Sequence, residues 1–478
     1  MSDQATSTRP NVFLRALRRI RNWGELGGRS ADLQLAPDLP ETDLPKVRSL
    51  MHACAEGRGS VTSMRSRAAQ LGYAYLSLNR EGRLRFLTLL TGEFGLDTAA
   101  LVQAVKRHAA QDTPETYELL QRQAQPPRVQ VVRTLNSLPD GFRFLVDLRA
   151  DLLSFLPDHP ELAKLDHDLR SLFESWFDVS LLSFETISWD SPASLLEKIV
   201  NYEAVHAVSS WRDLKNRLEA DRRCYGFFHP KIPGEPLIFV EVALTRGKPA
   251  TIGELLDENA PVIDPQSTDT AIFYSISNTQ TGLRGVSFGS FLLKEVTADL
   301  AREFPQLNHF LTLSPIPGFR RWLDGKLAAG APLLNEAEER AAASLAPAVD
   351  GSADADPAGA LARLLASDWQ EDEDAREFLK APLERLAAHY LLKVRRRPNV
   401  PHDPVARFHL TNGASVEGLL FMADSSERGM ASSYGMMVNY RYEPDSLEAN
   451  HERLLGRDEV TATSEVQRLA LTAGLEAG

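Results

Sequence analysis

The chain has 478 residues, 43% of them hydrophobic and 25% charged, with a formal net charge of −12, the make-up of an ordinary soluble globular protein of two or three domains. An acidic balance argues against nucleic acid as the main ligand. Two cysteines, Cys54 and Cys224, exclude a disulfide framework or zinc cluster and point to a reducing compartment, and no apolar run approaches a bilayer span of roughly 18 residues.

Residues 1–40 read as a tail, with Ser, Thr, Gly and Pro frequent and no sustained period. Within it, Asn11–Ile20 is basic and amphipathic, which suits a transit-peptide fragment, a membrane-surface helix or an ordinary surface helix. From 41 to 177 apolar residues recur at helical spacing. Leu84, Leu87 and Leu90 share a face, as do Leu101 and Val105. Phe142, Leu145, Leu148, Leu152 and Phe155 make a longer stripe; Leu165, Leu169, Leu172 and Trp176 make another. Gly92, Pro114, Pro126, Pro127, Pro139 and Pro157 punctuate them, so a bundle of antiparallel helices is expected. Its function is packing or oligomerisation, and a homo-oligomer (dimer or tetramer) built through it is expected.

From about 178 the period changes. Pro236–Thr245 is the strongest strand signal, and Ala271–Ser277 is expected to pair with it. Val405–Leu410, the Asn412-Gly413 dipeptide and Ala414–Phe421 read as a β-hairpin, and a further strand ends at Val438–Tyr442. Helices are expected at 193–201, 210–219, 291–304 and 375–393. Residues 342–360 are acidic and low in complexity, a surface loop. A final helix capped by Ser464 carries Val466, Leu469 and Ala470, so 466–478 read as terminal helix and tail. The fold class is α+β: an all-α bundle over 41–177, then a mixed sheet with helices over 178–465. Leu475–Gly478 is no peroxisomal signal, and a cytoplasmic location with no membrane partner is expected.

The chemistry is sought in 271–319. The strand Ala271–Ser277 leads into a glycine-punctuated turn and then a helix on which Leu292, Val296 and Leu300 share a face. Strand, glycine loop and helix N-terminus together can cradle a phosphate. The loop Arg284-Gly285-Val286-Ser287-Phe288-Gly289-Ser290 is neither a Walker A sequence nor GxGxxG. It comes nearer the pyrophosphate loop of GNAT-type acetyltransferases, and read by itself it is either a phosphate site or a plain turn. Beyond the helix, the stiff segment Leu313-Ser314-Pro315-Ile316-Pro317-Gly318-Phe319 displays one serine. Ser314 lies in no GxSxG elbow, and a serine before proline is also a common turn residue. His409, read in a strand, faces away from Phe408 and Leu410; it is either a structural histidine or a site residue. No HxxxH, HExxH or CxxC spacing supports a metal site.

Taken in order, several stretches resemble the malonyl-CoA decarboxylase family. They are Trp211–Lys215, Pro233–Leu237, Phe273–Ser277, Gly282–Val286, Leu313–Phe319, Pro404–Ala414, Met422–Asp424 with Arg428-Gly429, and Asn439–Tyr442. The resemblance covers about 190–445. It implies a helical domain followed by a GNAT-like catalytic domain, and decarboxylation of malonyl-CoA to acetyl-CoA with no cofactor. Ser314 and His409 fall on the family's catalytic pair, and residues 284–290 on its CoA-phosphate segment. Ser275 and Tyr442 fall near its active site, and Lys198 matches a family lysine. The family often has an acidic residue where Ser287 stands, so a hydroxyl or a water must serve there. The chemistry suits these residue types: a serine holds the malonyl carboxylate out of the thioester plane, and a histidine titrating near neutrality protonates the enolate. An acyltransferase on the same scaffold, or a non-catalytic malonyl-CoA sensor, are the alternatives.

Overall fold

The computed structural model of the chain describes residues 34–57, 59–177, 181–286, 291–347 and 359–473. The basic Asn11–Ile20 segment and Ser287–Ser290 of the glycine loop lie outside them. The described chain divides into two compact units: one up to 183 with 228–237 and 280–287, the other 184–227, 238–279 and from 288 onward. No helix among the described residues is long and apolar enough to cross a membrane.

The first unit is helical, as its apolar spacing requires. Its helices run Leu44–Ala55, Val61–Ser77, Arg80–Glu93, Thr98–Ala110, Pro114–Gln123, Pro127–Asn136, Gly141–Phe155 and Ala163–Trp176. Ser60, Asn79, Asp97 and Thr113 cap four of them by accepting a backbone N–H from the first turn. The 142–155 stripe is wholly buried. Val105, by contrast, is 48% exposed and its neighbour Val102 44%. Of the expected tail 1–40, residues 34–40 are described, and they pack against the bundle: Leu39 is fully buried and Pro37 O accepts from Asn79 N.

A mixed sheet belongs mostly to the second unit. Its strands are β1 Ser183–Ile187, β2 Arg222–His229, β3 Ile232–Thr245, β4 Thr270–Asn278, β5 His309–Thr312, β6 Ser314–Pro315, β9 Ser415–Leu420 and β10 Met437–Arg441, while β7 Arg395–Arg397 and β8 Val400–Pro401 form a separate pair. The order is β1-β2-β3-β4-β5-β10-β6, with β9 also on β10. As expected, β3 and β4 pair, antiparallel, with Glu241 opposite Ser275. β4 and β5 are parallel, joined through the glycine loop and the helix Phe291–Glu303, and their pairing ends at Phe273 opposite Thr312. The expected α+β class, a helical bundle followed by a mixed sheet with helices, is the one observed.

Alternation along the strands sorts the side chains. Ile272, Tyr274, Leu311, Leu313 and Met437 share one buried apolar cluster. The opposite parity carries Phe273, Ser275 and Ser277 on β4, Thr312 and Ser314 beyond it, and Val438, Tyr440 and Tyr442 on and after β10. That second face is where the polar residues are.

Three local expectations are corrected. Residues 404–413 are not a hairpin arm but a helix, Pro404–Thr411. Asp403 caps it, with Oδ1 accepting Val405 N and Ala406 N at 2.9 Å each, and Pro404 occupies the first turn, where no N–H is needed. Asn412-Gly413 is therefore a helix stop, with Gly413 at φ +85°. The last helix, Ser464–Leu471, is capped by Thr463 and not Ser464. The helix Glu336–Leu345 runs into the expected acidic loop 342–360, of which 348–358 lie outside the described residues.

A Cβ on Gly413 would meet Leu447 O at 2.2 Å. Gly413→Ala is therefore expected to cost about 2 kcal/mol or more, from the left-handed backbone and the clash together. Urea denaturation measures it; a loss under about 0.5 kcal/mol would contradict this account of the helix stop.

Candidate active site

The site is built where β4 loses its neighbour. β5 and β6 are one strand with an interruption, since their register against β10 is continuous: Arg441 lies opposite Leu311 and Val438 opposite Ser314. At the interruption side chains replace the ladder. Asn439 Nδ2 donates to Thr312 O at 2.6 Å, and Tyr440 N donates to Thr312 Oγ1 at 3.0 Å. Leu313 N makes the last bond to β4, donating to Phe273 O. Past that point β6 stays with β10, and β4 runs on to Asn278 without it.

The gap is a cavity of about 220 Å³. Phe273–Ile276 and Asn278 form one wall, Ser314 and Pro315 the other. Val405, Phe408 and His409 line it from the 404–411 helix. Their i, i+3, i+4 spacing puts them on one helical face. His409 thus looks the same way as Phe408, not the opposite way expected of a strand. Ser314 is also not displayed on a loop: it is buried, 5% exposed, within β6.

The structure brings Ser314 and His409 together, with Oγ 3.2 Å from Nε2. The hydrogen-bond chain sets the roles. Ser314 Oγ donates its one proton to Thr312 Oγ1 at 2.8 Å. It must then accept from His409 Nε2–H. Nδ1 is left as the acceptor, and the Tyr442 hydroxyl donates to it at 2.7 Å. The imidazole also stacks on the Tyr440 ring, centroids 4.5 Å apart. Asp403 ties the two halves: besides capping the histidine's helix, its Oδ2 accepts Gly318 N at 3.2 Å, from the segment after Ser314.

Among the described residues, the hydrogen-bond and ring partners of His409 are all uncharged side chains. Burial alone pushes its pKa down to about 3, so the ring is neutral at pH 7. The expectation of a histidine titrating near neutrality is corrected accordingly. Burial likewise raises the Tyr442 phenol well above its usual range.

Ser275 lines the cavity but is bound to a group that the sequence did not single out, Glu203. Nothing in Tyr202-Glu203-Ala204-Val205 marks that residue, since it follows the end of a helix and belongs to no period. Thr312, Asp403 and Tyr440 were also missed; Asp403-Pro404 followed by Gly413 was the available signal, a helix start and stop. Lys198 sits part-buried on the helix Ala193–Tyr202 and is not among the residues lining the cavity.

The glycine turn is counted with the helical unit. Arg284 and Gly285 are exposed and Val286 is buried. Arg149 Nη1 donates to Gly282 O at 2.7 Å and Arg284 O at 2.9 Å, with Nε on Asp166. A Cβ on Gly282 would lie 1.8 Å from Val146 O, so glycine is required there by close packing. Ser287, Phe288, Gly289 and Ser290 lie outside the described residues.

Comparison with known proteins gives a consistent set of likenesses. The family profile of the malonyl-CoA decarboxylase C-terminal domain matches residues 180–477, and that of the malonyl-CoA decarboxylase N-terminal domain matches 94–177. The chain is 34% identical to a mitochondrial malonyl-CoA decarboxylase of Anser anser anser over 480 residues, 96% of this chain and 94% of that protein. It is 36% identical to the Mus musculus protein of the same name over 466 residues, 94% and 92% of the two. Among solved structures, a malonyl-CoA decarboxylase from Rhodopseudomonas palustris aligns with a TM-score of 0.79 at 40% identity, covering 89% of this chain and 99% of that one.

The histidine's burial has a sign that can be checked. Its folded pKa lies below the unfolded value near 6.5, so the unfolded chain binds the extra proton between about pH 6.5 and 3. The stability it contributes is present above pH 6.5 and is lost as pH falls towards 3. Relative to His409→Asn, the wild type is expected to lose about 2 kcal/mol between pH 7 and 5. Chemical denaturation of both proteins measures this; parallel pH curves would contradict a neutral buried ring.

Proposed function

The chain belongs to the malonyl-CoA decarboxylase family, and from that premise we propose that it converts malonyl-CoA to acetyl-CoA and CO₂ in the cavity between β4 and β6. The observation that carries this reading is the Ser314–His409 hydrogen bond in the wall of that cavity.

The reaction has two demands. The bond to CO₂ breaks most easily when it stands perpendicular to the thioester plane, so the carboxylate must be held there and kept dry. Ser314 is the hydroxyl available to hold it, once substrate binding turns its proton from Thr312 Oγ1 to the carboxylate, in a wall otherwise lined largely by apolar groups. The products are CO₂ and a thioester enolate. The enolate carbon then needs one proton.

That proton comes from a neutral imidazole. An enolate carbon is a stronger base even than imidazolate, so the Nε2–H of uncharged His409 is acid enough, and neutral histidine serves as an electrophile in other enzymes. Tyr442, already donating to Nδ1, passes its proton to the ring as Nε2–H leaves; a proton from water then reaches Nε2 as the Nδ1 proton returns to the phenolate, which restores both groups. One proton is consumed per turnover, as the overall reaction requires. Each step uses the protein's own groups, so we propose no metal or organic cofactor.

The free edge of β4 suits the remainder of the substrate. An extended amide-bearing chain can add to an unpaired strand edge through main-chain hydrogen bonds, and the pantetheine arm of CoA is such a chain. Exposed Arg284, with Gly285, Val286 and Ser287–Ser290, remains our candidate for the CoA phosphates. The exposed Val102, Val105 and Tyr117 of the helical unit support a homo-oligomer formed through it. Two free, buried cysteines, Cys54 and Cys224, suit a reducing, cytoplasmic setting.

Purified protein treated with a chelator is expected to release CO₂ from malonyl-CoA at the untreated rate. Ser314→Ala and His409→Asn are each expected to lower kcat by about 10²–10⁴-fold. His409 should add no inflection to kcat/KM between pH 5 and 8. A His409→Asn variant as fast as wild type, or turnover abolished by chelation, would sink the mechanism.

A further inference from the structure

Ser275 and Ser277 lie on the site face of β4, and both hydroxyls answer to one buried carboxylate, Glu203. Ser275 Oγ donates to Glu203 Oε1 and Oε2, 2.8 Å from each, and Ser277 Oγ donates to Oε2 at 3.0 Å. Val205 N and His206 N donate to Oε1, both at 2.8 Å. Among the described residues no cation pairs with this carboxylate; these four donors hold its charge. Arg428 fixes the same segment from outside, donating to Ala204 O and Val205 O. Ser275 and Val205 both line the cavity that contains Ser314 and His409.

A serine hydroxyl has one proton. With that proton committed to Glu203, Ser275 Oγ turns only lone pairs to the cavity. The malonyl carboxylate, the thioester carbonyl and the thioester sulfur are all acceptors. The donors of an acyl-CoA arm are its two amide N–H groups and the pantoyl hydroxyl, and the one nearest the thioester is an amide N–H two carbons from sulfur. We propose that Glu203 is a positioning residue of the acyl-CoA pocket, locking Ser275 as a fixed acceptor for that amide N–H. The proposal rests on the reading of the cavity as an acyl-CoA site. It assigns Glu203 a part in recognising the arm, and none in the chemistry at the malonyl carbon.

Glu203→Gln tests it almost isosterically. The amide oxygen can still accept from Val205 N and His206 N, but the new NH₂ donates where the carboxylate accepted. Ser275 then keeps as acceptor only the amide oxygen that Val205 N and His206 N already occupy, and its proton is freed to turn towards the cavity. Two truncated substrates separate the effects: the malonyl thioester of N-acetylcysteamine, which keeps the amide, and S-ethyl malonyl thioester, which lacks it. Glu203→Gln is expected to lower kcat/KM about tenfold on the first, the loss of about one hydrogen bond, and to stay within about twofold of wild type on the second. Ser275→Ala should show the same split, and the double variant should be no worse than either single one. Equal losses on both thioesters, or multiplying losses in the double variant, would overturn the proposal while leaving the decarboxylase reading intact. Should Glu203→Gln fail to fold, as circular dichroism would reveal, the Ser275→Ala split decides alone. A wild type that decarboxylates neither thioester nor malonyl-CoA would remove the acyl-CoA reading and the proposal with it.

Discussion

Everything the site does follows from one departure: beyond Phe273 and Thr312, β4 and its neighbour separate. Had the pairing continued, Ser314 would pack against β4 and no cavity would exist. The separation has a local cause. The Asn439 side chain and the Thr312 hydroxyl take over bonds that a regular ladder would make between main chains. Buried main-chain groups must find partners, and these substitutes let the strand break without orphaning them. β10 then carries β6 away, and the 404–411 helix closes the opening with His409.

The electrostatics of the opening depend on what is missing around the histidine. His409 contacts hydroxyls and rings, with no carboxylate among its hydrogen-bond partners in the described residues. A protonated ring there would be a buried, uncompensated charge, which is why its pKa falls to about 3. The buried carboxylates are used elsewhere. Asp403 caps the helix and binds the segment after Ser314, and Glu203 gathers the serines of β4. Charge thus positions the neutral groups without touching the histidine. On the proposed reading, the proton donor is a ring that neither titrates in the physiological range nor invites an anion before the substrate arrives.

Much of this was legible in the chain. Helical spacing located the bundle, and the apolar run at 236–245 located the strand against which β4 pairs. Ser314 and His409 were separated by almost a hundred residues, and spacing alone could not join them; the ordered family motifs did. The 404–413 segment was misread because β-rich composition and an Asn-Gly pair mimic a hairpin. Asp403, Pro404 and Gly413 were the stronger signal, since each has a specific use at a helix end. Glu203 was not legible at all. Its role comes from a single turn of chain meeting the far end of β4, a contact between residues more than seventy positions apart that leaves no period or motif behind.

The central claim, that the catalytic histidine is a neutral Nε2–H donor, is tested most directly by ¹⁵N NMR of histidine-labelled protein, with His409→Asn assigning the signal. The account predicts one protonated and one unprotonated ring nitrogen, with Nε2 carrying the proton, unchanged from pH 8 to pH 5. A resonance that moves to the doubly protonated form with a midpoint near pH 6 or 7, or that places the proton on Nδ1, would contradict it.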